Sequence, residues 1–114
     1  MLEQEIELFH KPYLTVSAPV EENKEVEFMV QIGRIPHPME LSHHIEWIEI
    51  YKNGSLLQRV NFDVSIDKEA KTFFSLIWTS DTVVEIKTQC NIHGLWTLQI
   101  NKDNIRDIQV DDFE

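Results

Sequence analysis

The stretch EVEFMVQI, residues 25–32, sets Val26, Phe28, Val30 and Ile32 in alternation with Glu25, Glu27, Met29 and Gln31. A period of two is what a strand produces when one face is buried and the other wet, because successive side chains leave the pleat on opposite sides. Downstream, Val60, Phe62, Val64 and Ile66 alternate in the same way with Asn61, Asp63, Ser65 and Asp67 and read as another half-buried strand. KTFFSLIWT and TVVEIKTQ are rich in aromatic and β-branched residues, with Ser80-Asp81 as a turn between them. GLWTLQI adds a strand with Trp96, Leu98 and Ile100 on one face, and YLTVSA supplies the first strand of the series.

Asn53-Gly54 separates IEWIEIYK from SLLQRV, and Asn-Gly is a strong hairpin signal because both turn residues must tolerate positive φ. Within that hairpin EWIEIYK is ambiguous: Ile45 and Ile48 also have helical spacing, so a strand here requires a bulge or burial on both faces. The segment NKDNIRDIQV fits either a last strand or a short helix. About seven short strands and no long helix predict an all-β fold, a seven-stranded immunoglobulin-like β-sandwich without the disulfide of true immunoglobulin domains.

The chain has 114 residues, enough for one domain around one core, 1–114, and shows no internal repeat or low-complexity linker. Its formal charge of −10 argues against nucleic acid or anionic membrane as a partner, since both reward clustered Lys and Arg. No stretch approaches the roughly 20 apolar residues a membrane helix needs. A lone cysteine and an N-terminus without a basic-then-apolar leader predict a reducing, cytoplasmic setting. The closing DDFE reads as a solvated tail.

Chemistry-bearing residues concentrate at strand ends. IPHPMELSHHIEWIE, residues 35–49, carries His37, His43 and His44. Pro36 and Pro38 stiffen the backbone on both sides of His37. His43 and His44 are neighbours in an extended segment, so at most one of them shares a site with His37. In CNIHGLW, residues 90–96, the sole cysteine, Cys90, is spaced as a ligand pair with His93, and Gly94 lets the chain turn there. His10 precedes the first strand. Taken singly, a histidine on a strand is more often hydrogen-bonded than ligating, and a lone buried cysteine is usually a small hydrophobe.

Together, IPHPMELSHHIEWIE and CNIHGLW resemble the iron domain of superoxide reductases, the neelaredoxin and desulfoferrodoxin group. The resemblance implies an immunoglobulin-like sandwich with a mononuclear non-haem iron held by four histidines in a plane and one axial cysteine thiolate. Carried over by position, the ligands would be His10, His37, His43, Cys90 and His93, with His44 outside the set. It implies one-electron reduction of superoxide to hydrogen peroxide, an external electron donor such as rubredoxin, and a homo-oligomer. With one cysteine in the chain it implies the single-iron form.

Five ligands suit a metal that prefers six and leave one position open, whereas structural zinc is satisfied by four. A zinc clamp of His37, His43, Cys90 and His93 remains open if His10 does not reach the site. A non-catalytic iron carrier or redox sensor is the other alternative, because the chain departs from the family at one place. The family's Glu-Lys before its first histidine is here Leu8-Phe9, and Lys11 or Glu7 could stand in only if the loop differs in shape.

Overall fold

The computed structural model describes residues 3–111. It begins with α1 (Glu3–His10), followed by β1 (Pro12–Val16), β2 (Lys24–Ile32), β3 (Ile45–Lys52), β4 (Ser55–Asn61), β5 (Lys71–Trp78), β6 (Val84–Cys90), β7 (Gly94–Ile100) and the two-residue β8 (Gln109–Val110). The strands form two four-stranded sheets, ordered β5-β2-β1-β8 and β4-β3-β6-β7. The expected β-sandwich is present with eight strands rather than seven. The eighth pairs in parallel with β1, after a 3-10 turn at Ile105–Asp107, so NKDNIRDIQV contains both a helical turn and a strand.

The alternation read in residues 25–32 is realised: Val26, Phe28, Val30 and Ile32 are buried, Glu25 and Glu27 are exposed, and Met29 and Gln31 lie between. Facing them across the sandwich are Ile45, Ile48 and Ile50 of β3 and Val84 and Ile86 of β6, all fully buried. Each such aliphatic side chain withdrawn from water contributes about 1.5–3 kcal/mol. Phe28 stacks on Phe74 of the neighbouring strand, ring centroids 4.8 Å apart. Asn53 (φ 49) and Gly54 (φ 85) make the expected tight turn of the β3–β4 hairpin. The ambiguity in IEWIEIYK resolves as a strand whose register shifts at Ile45/Trp47 and again at Ile50/Tyr51.

One expectation is corrected. The strand read over 60–66 stops at Asn61. Asp63 captures the chain instead: its carboxylate accepts from the Ser65 amide and hydroxyl, and its carbonyl accepts from the Ile66 and Asp67 amides. A local Asx turn has outcompeted the ladder, and Ile66 ends 73% exposed. Of the acidic end, residues 112–114 lie outside the described residues, while Asp111 is exposed.

The topology gathers one set of strand ends at one pole. Pro12 opens β1 opposite Ile32, which closes β2; Ile45 opens β3 opposite Cys90, which closes β6; and Cys90 faces Gly94 across the β6–β7 turn. His10, the 33–44 connection and the 91–93 turn are therefore brought together by strand register.

Candidate metal centre

Each functional side chain at this pole is set by its own piece of backbone. The 33–36 turn closes when the His37 amide donates to the Ile32 carbonyl at 3.0 Å. Glu40 and His43 exchange both backbone hydrogen bonds at 3.0 Å, making a tight reversal that carries His43. Asn91 ties this reversal to the cysteine turn: its side chain accepts from the His44 amide at 2.9 Å and donates to the Ser42 carbonyl at 3.2 Å. Lys11 and Leu8 carbonyls accept from Gly33 and Ile35 amides, docking the end of α1 on the 33–36 turn.

The four imidazoles close into a ring. Centroid separations run 4.6 Å from His10 to His37, 4.6 Å from His37 to His43, 5.1 Å from His43 to His93 and 4.7 Å from His93 back to His10. Across the ring, His10 and His43 are 6.1 Å apart. His10 Nε2 lies 3.1 Å from both His37 Nε2 and His93 Nδ1. The Cys90 sulfur contacts the nitrogens at two opposite corners, His37 Nε2 at 3.5 Å and His93 Nδ1 at 3.8 Å, so it sits against the face of the ring. The donor atoms of His10, His37, His43 and Cys90 all lie within 4.8 Å of one another. His93 is outside that mutual set and joins it through its contacts with His10 and Cys90. His44 stays apart, its Nδ1–H on the Glu40 carbonyl at 3.0 Å.

The protonation pattern fits a cation at the centre. His10 Nδ1 is 2.6 Å from the Ile6 carbonyl and His37 Nδ1 is 2.7 Å from the Pro38 carbonyl. A carbonyl only accepts, so both rings carry their proton on Nδ1 and present bare Nε2 lone pairs to each other across 3.1 Å. His43 Nε2 is buried with no partner among the described residues. Bare nitrogens and a thiol converging in this way are unfavourable alone and complementary to a metal ion. The condition under which a four-residue zinc clamp would suffice, His10 out of reach, is not met.

Burial favours the same neutral state. It pushes His37 down to about 4, against an upward pull from the Pro38 carbonyl and with further lowering by His10, His43 and His93. Burial also lowers His10 and His43, and His93 lowers both further. These shifts have a sign: the unfolded chain takes up protons near 6.5, while folded His37 resists them to about 4. The metal-free protein is therefore expected to lose stability as pH falls from about 6.5 towards about 4, and to hold it above that window. Denaturant midpoints across this range check it, and a flat profile would contradict it.

Sequence reasoning missed the supports: the Ile6 and Pro38 carbonyls, Asn91 and the helix that delivers His10. Ile6, Phe9 and His10, spaced i, i+3, i+4, were the helical signal available. Leu8 is 41% exposed. Neither possible substitute for the family's charged pair reaches the ring. Glu7 and Lys11 pair with each other at 3.7 Å, both exposed. They line a cleft of about 470 Å³ with Leu8, Pro12, Tyr13 and Arg34, which none of the five candidate ligands borders.

The chain resembles known proteins in sequence and fold. The Desulfoferrodoxin family model matches residues 3–99. A desulfoferrodoxin homolog of Methanothermobacter thermautotrophicus is 41% identical over 78 residues, which are 68% of this chain and 59% of that protein. The superoxide reductase of Pyrococcus horikoshii is 34% identical over 84 residues, 66% of this chain and 73% of that protein. The chain spans about three fifths of the length of the curated desulfoferrodoxin homologs it matches. Among solved structures, the superoxide reductase (neelaredoxin) from Ignicoccus hospitalis superposes with a TM-score of 0.66 at 28% identity, covering 90% of this chain and 81% of that one. With a family match over most of its length and a common sandwich, the chain belongs to the desulfoferrodoxin family.

Proposed function

We propose that this chain is an iron superoxide reductase, in which His10, His37, His43, His93 and Cys90 would together hold a single iron. The observation that carries the reading is the cyclic order of four imidazoles with one sulfur against two opposite corners. Such a set leaves the side away from sulfur for a small molecule. An iron bound by these five residues would supply the single electron that, with two protons, turns superoxide into hydrogen peroxide.

The chain's own residues set the conditions. Cys90, fully buried, offers a thiolate that pushes electron density towards whatever stands opposite. The carbonyls of Ile6 and Pro38 hold two imidazoles by their Nδ1–H and raise the donor strength of their Nε2 atoms. Four neutral imidazoles and one thiolate leave a ferrous centre with a net +1, and at about 4 Å and an effective dielectric near 20 a unit pair is worth roughly 4 kcal/mol. Surface carboxylates farther than about 8 Å from the site are largely screened at physiological salt. The anion is thus attracted locally although the protein as a whole is acidic.

Leu8 and Phe9 can neither ligate nor deliver a proton, and of the five candidate ligands only His93 is exposed to solvent. Lys11→Ala should leave both the rate with superoxide and its salt dependence unchanged, as stopped-flow kinetics at several ionic strengths would record. A clear fall would return Lys11 to the reaction. The same substitution of Leu8-Phe9 for a charged pair favours a second reading, an iron electron carrier or redox sensor. Mixing the reduced protein with superoxide separates the two: fast one-to-one oxidation with peroxide formed supports the reductase, and no reaction supports the carrier. In the first reading the ferrous state is restored by an external one-electron donor such as a rubredoxin, and the working form is a homo-oligomer.

A further inference from the structure

The ring of His10 has one neighbour outside the cluster that meets it face to face. Trp96 of β7 stacks on it with ring centroids 5.0 Å apart and planes inclined by 19°, whereas His37 and His93 meet His10 edge-on at 71° and 81°. His10 is fully buried, and among the candidate ligands it alone arrives on a helix rather than on the sandwich's own strands and loops. Its Nδ1–H is held by Ile6 of the same helix, so that hydrogen bond moves with α1 and does not relate the imidazole to the sheets. The ties from α1 to the 33–36 turn are backbone to backbone and do not touch the His10 ring.

We propose that Trp96 is a positioning residue for the metal centre: its indole face fixes the plane of the His10 ring in the frame of the sandwich and so sets how firmly that ligand is held. This rests on the reading of His10 as an iron ligand. The indole Nε1–H is buried without an acceptor among the described residues, so no hydrogen bond accounts for the placement of the ring. The face is the part in use, and a phenyl ring should therefore serve in its place. Trp96 itself is anchored by β7, opposite Thr88 of β6, two residues before Cys90 on the strand that carries the thiol. One strand pair thus holds both the Cys90 sulfur and the platform beneath His10.

The test loads the full chain and its variants with ferrous iron and follows iron release to a chelator, together with the visible spectrum after oxidation. Trp96→Leu should release iron about two- to twelvefold faster, the range a lost aromatic stack implies, and shift the thiolate band. Trp96→Phe should behave as the wild type. In a His10→Ala background Trp96→Leu should add nothing, because its effect passes through the missing ring. Release and spectrum unchanged in Trp96→Leu would overturn the inference, as would an equal acceleration with and without His10. A wild-type chain that takes up no iron would overturn the metal-centre reading as well, so the two failures are distinguishable.

Discussion

Replacing Cys90 by serine is expected to abolish the visible absorption of the oxidised protein and to reduce its reaction with superoxide more than removal of any one histidine. The proposed set has four imidazoles, and the loss of one leaves three neutral donors of the same kind. The sulfur has no understudy: Cys90 is the chain's only cysteine. It is fully buried at the end of β6, against His37 Nε2 at 3.5 Å and His93 Nδ1 at 3.8 Å. A serine hydroxyl in this place stays protonated at neutral pH and donates little charge, so a bound iron would lose both the thiolate's negative charge and its electron push. The fall in rate should exceed the roughly 10–100-fold that loss of a contact supporting a ligand produces. Parallel kinetics on Cys90→Ser, His43→Ala and the wild type at equal iron content check the ranking. A serine variant that keeps the band, or outperforms the histidine variant, would remove the thiolate from its assigned role.

Gly33→Ala should produce the largest loss of stability among the glycines, although Gly33 bears no ligand. Its φ is +84°, a conformation that L side chains rarely adopt, and a β-carbon there would lie 2.3 Å from the Ile35 carbonyl oxygen and 2.5 Å from that of Phe9. Those neighbours are backbone and cannot rotate away. Yielding would undo the contact between the end of α1 and the 33–36 turn, where the Gly33 amide donates to Lys11 and the Ile35 amide to Leu8. Strained φ and overpacking each cost about 1–3 kcal/mol, so a loss of about 3 kcal/mol or more is expected. Gly54 and Gly94 are the controls: both have positive φ, but nothing lies within 4 Å of an added β-carbon. Each should lose only the conformational part, about 1–2 kcal/mol. Chemical denaturation of the three metal-free variants orders them, and iron release should be faster in Gly33→Ala than in either control, because the displaced turn leads directly to His37 and docks the helix that bears His10. Equal losses at all three positions would contradict this account of the turn.

The sandwich was legible because burial on one face writes itself into the sequence as a period of two, most plainly in residues 25–32. Where a side chain could bond its own backbone that signal misled: Val64 and Ile66 continue the alternation, yet Asp63 turns the chain first. The helix before β1 was missed because eight residues hold few periods, and its stability comes from docking against a turn more than twenty residues away. The histidines and the cysteine were visible as residue types at strand ends. The cyclic order of the rings and the orienting carbonyls of Ile6 and Pro38 were not, since backbone groups carry no letter in the sequence. The position of Lys11 depended on helix rotation: one residue past His10, it points to a cleft instead of the ring.

If His10, His37, His43, Cys90 and His93 meet on one iron and leave one side of it bare, metal analysis joined to an oxidised-minus-reduced visible spectrum shows it most directly. One iron per chain is expected, with a strong visible band in the oxidised protein that bleaches on reduction and is lost with Cys90. Zinc in place of iron, or bound iron with no thiolate band, would contradict it.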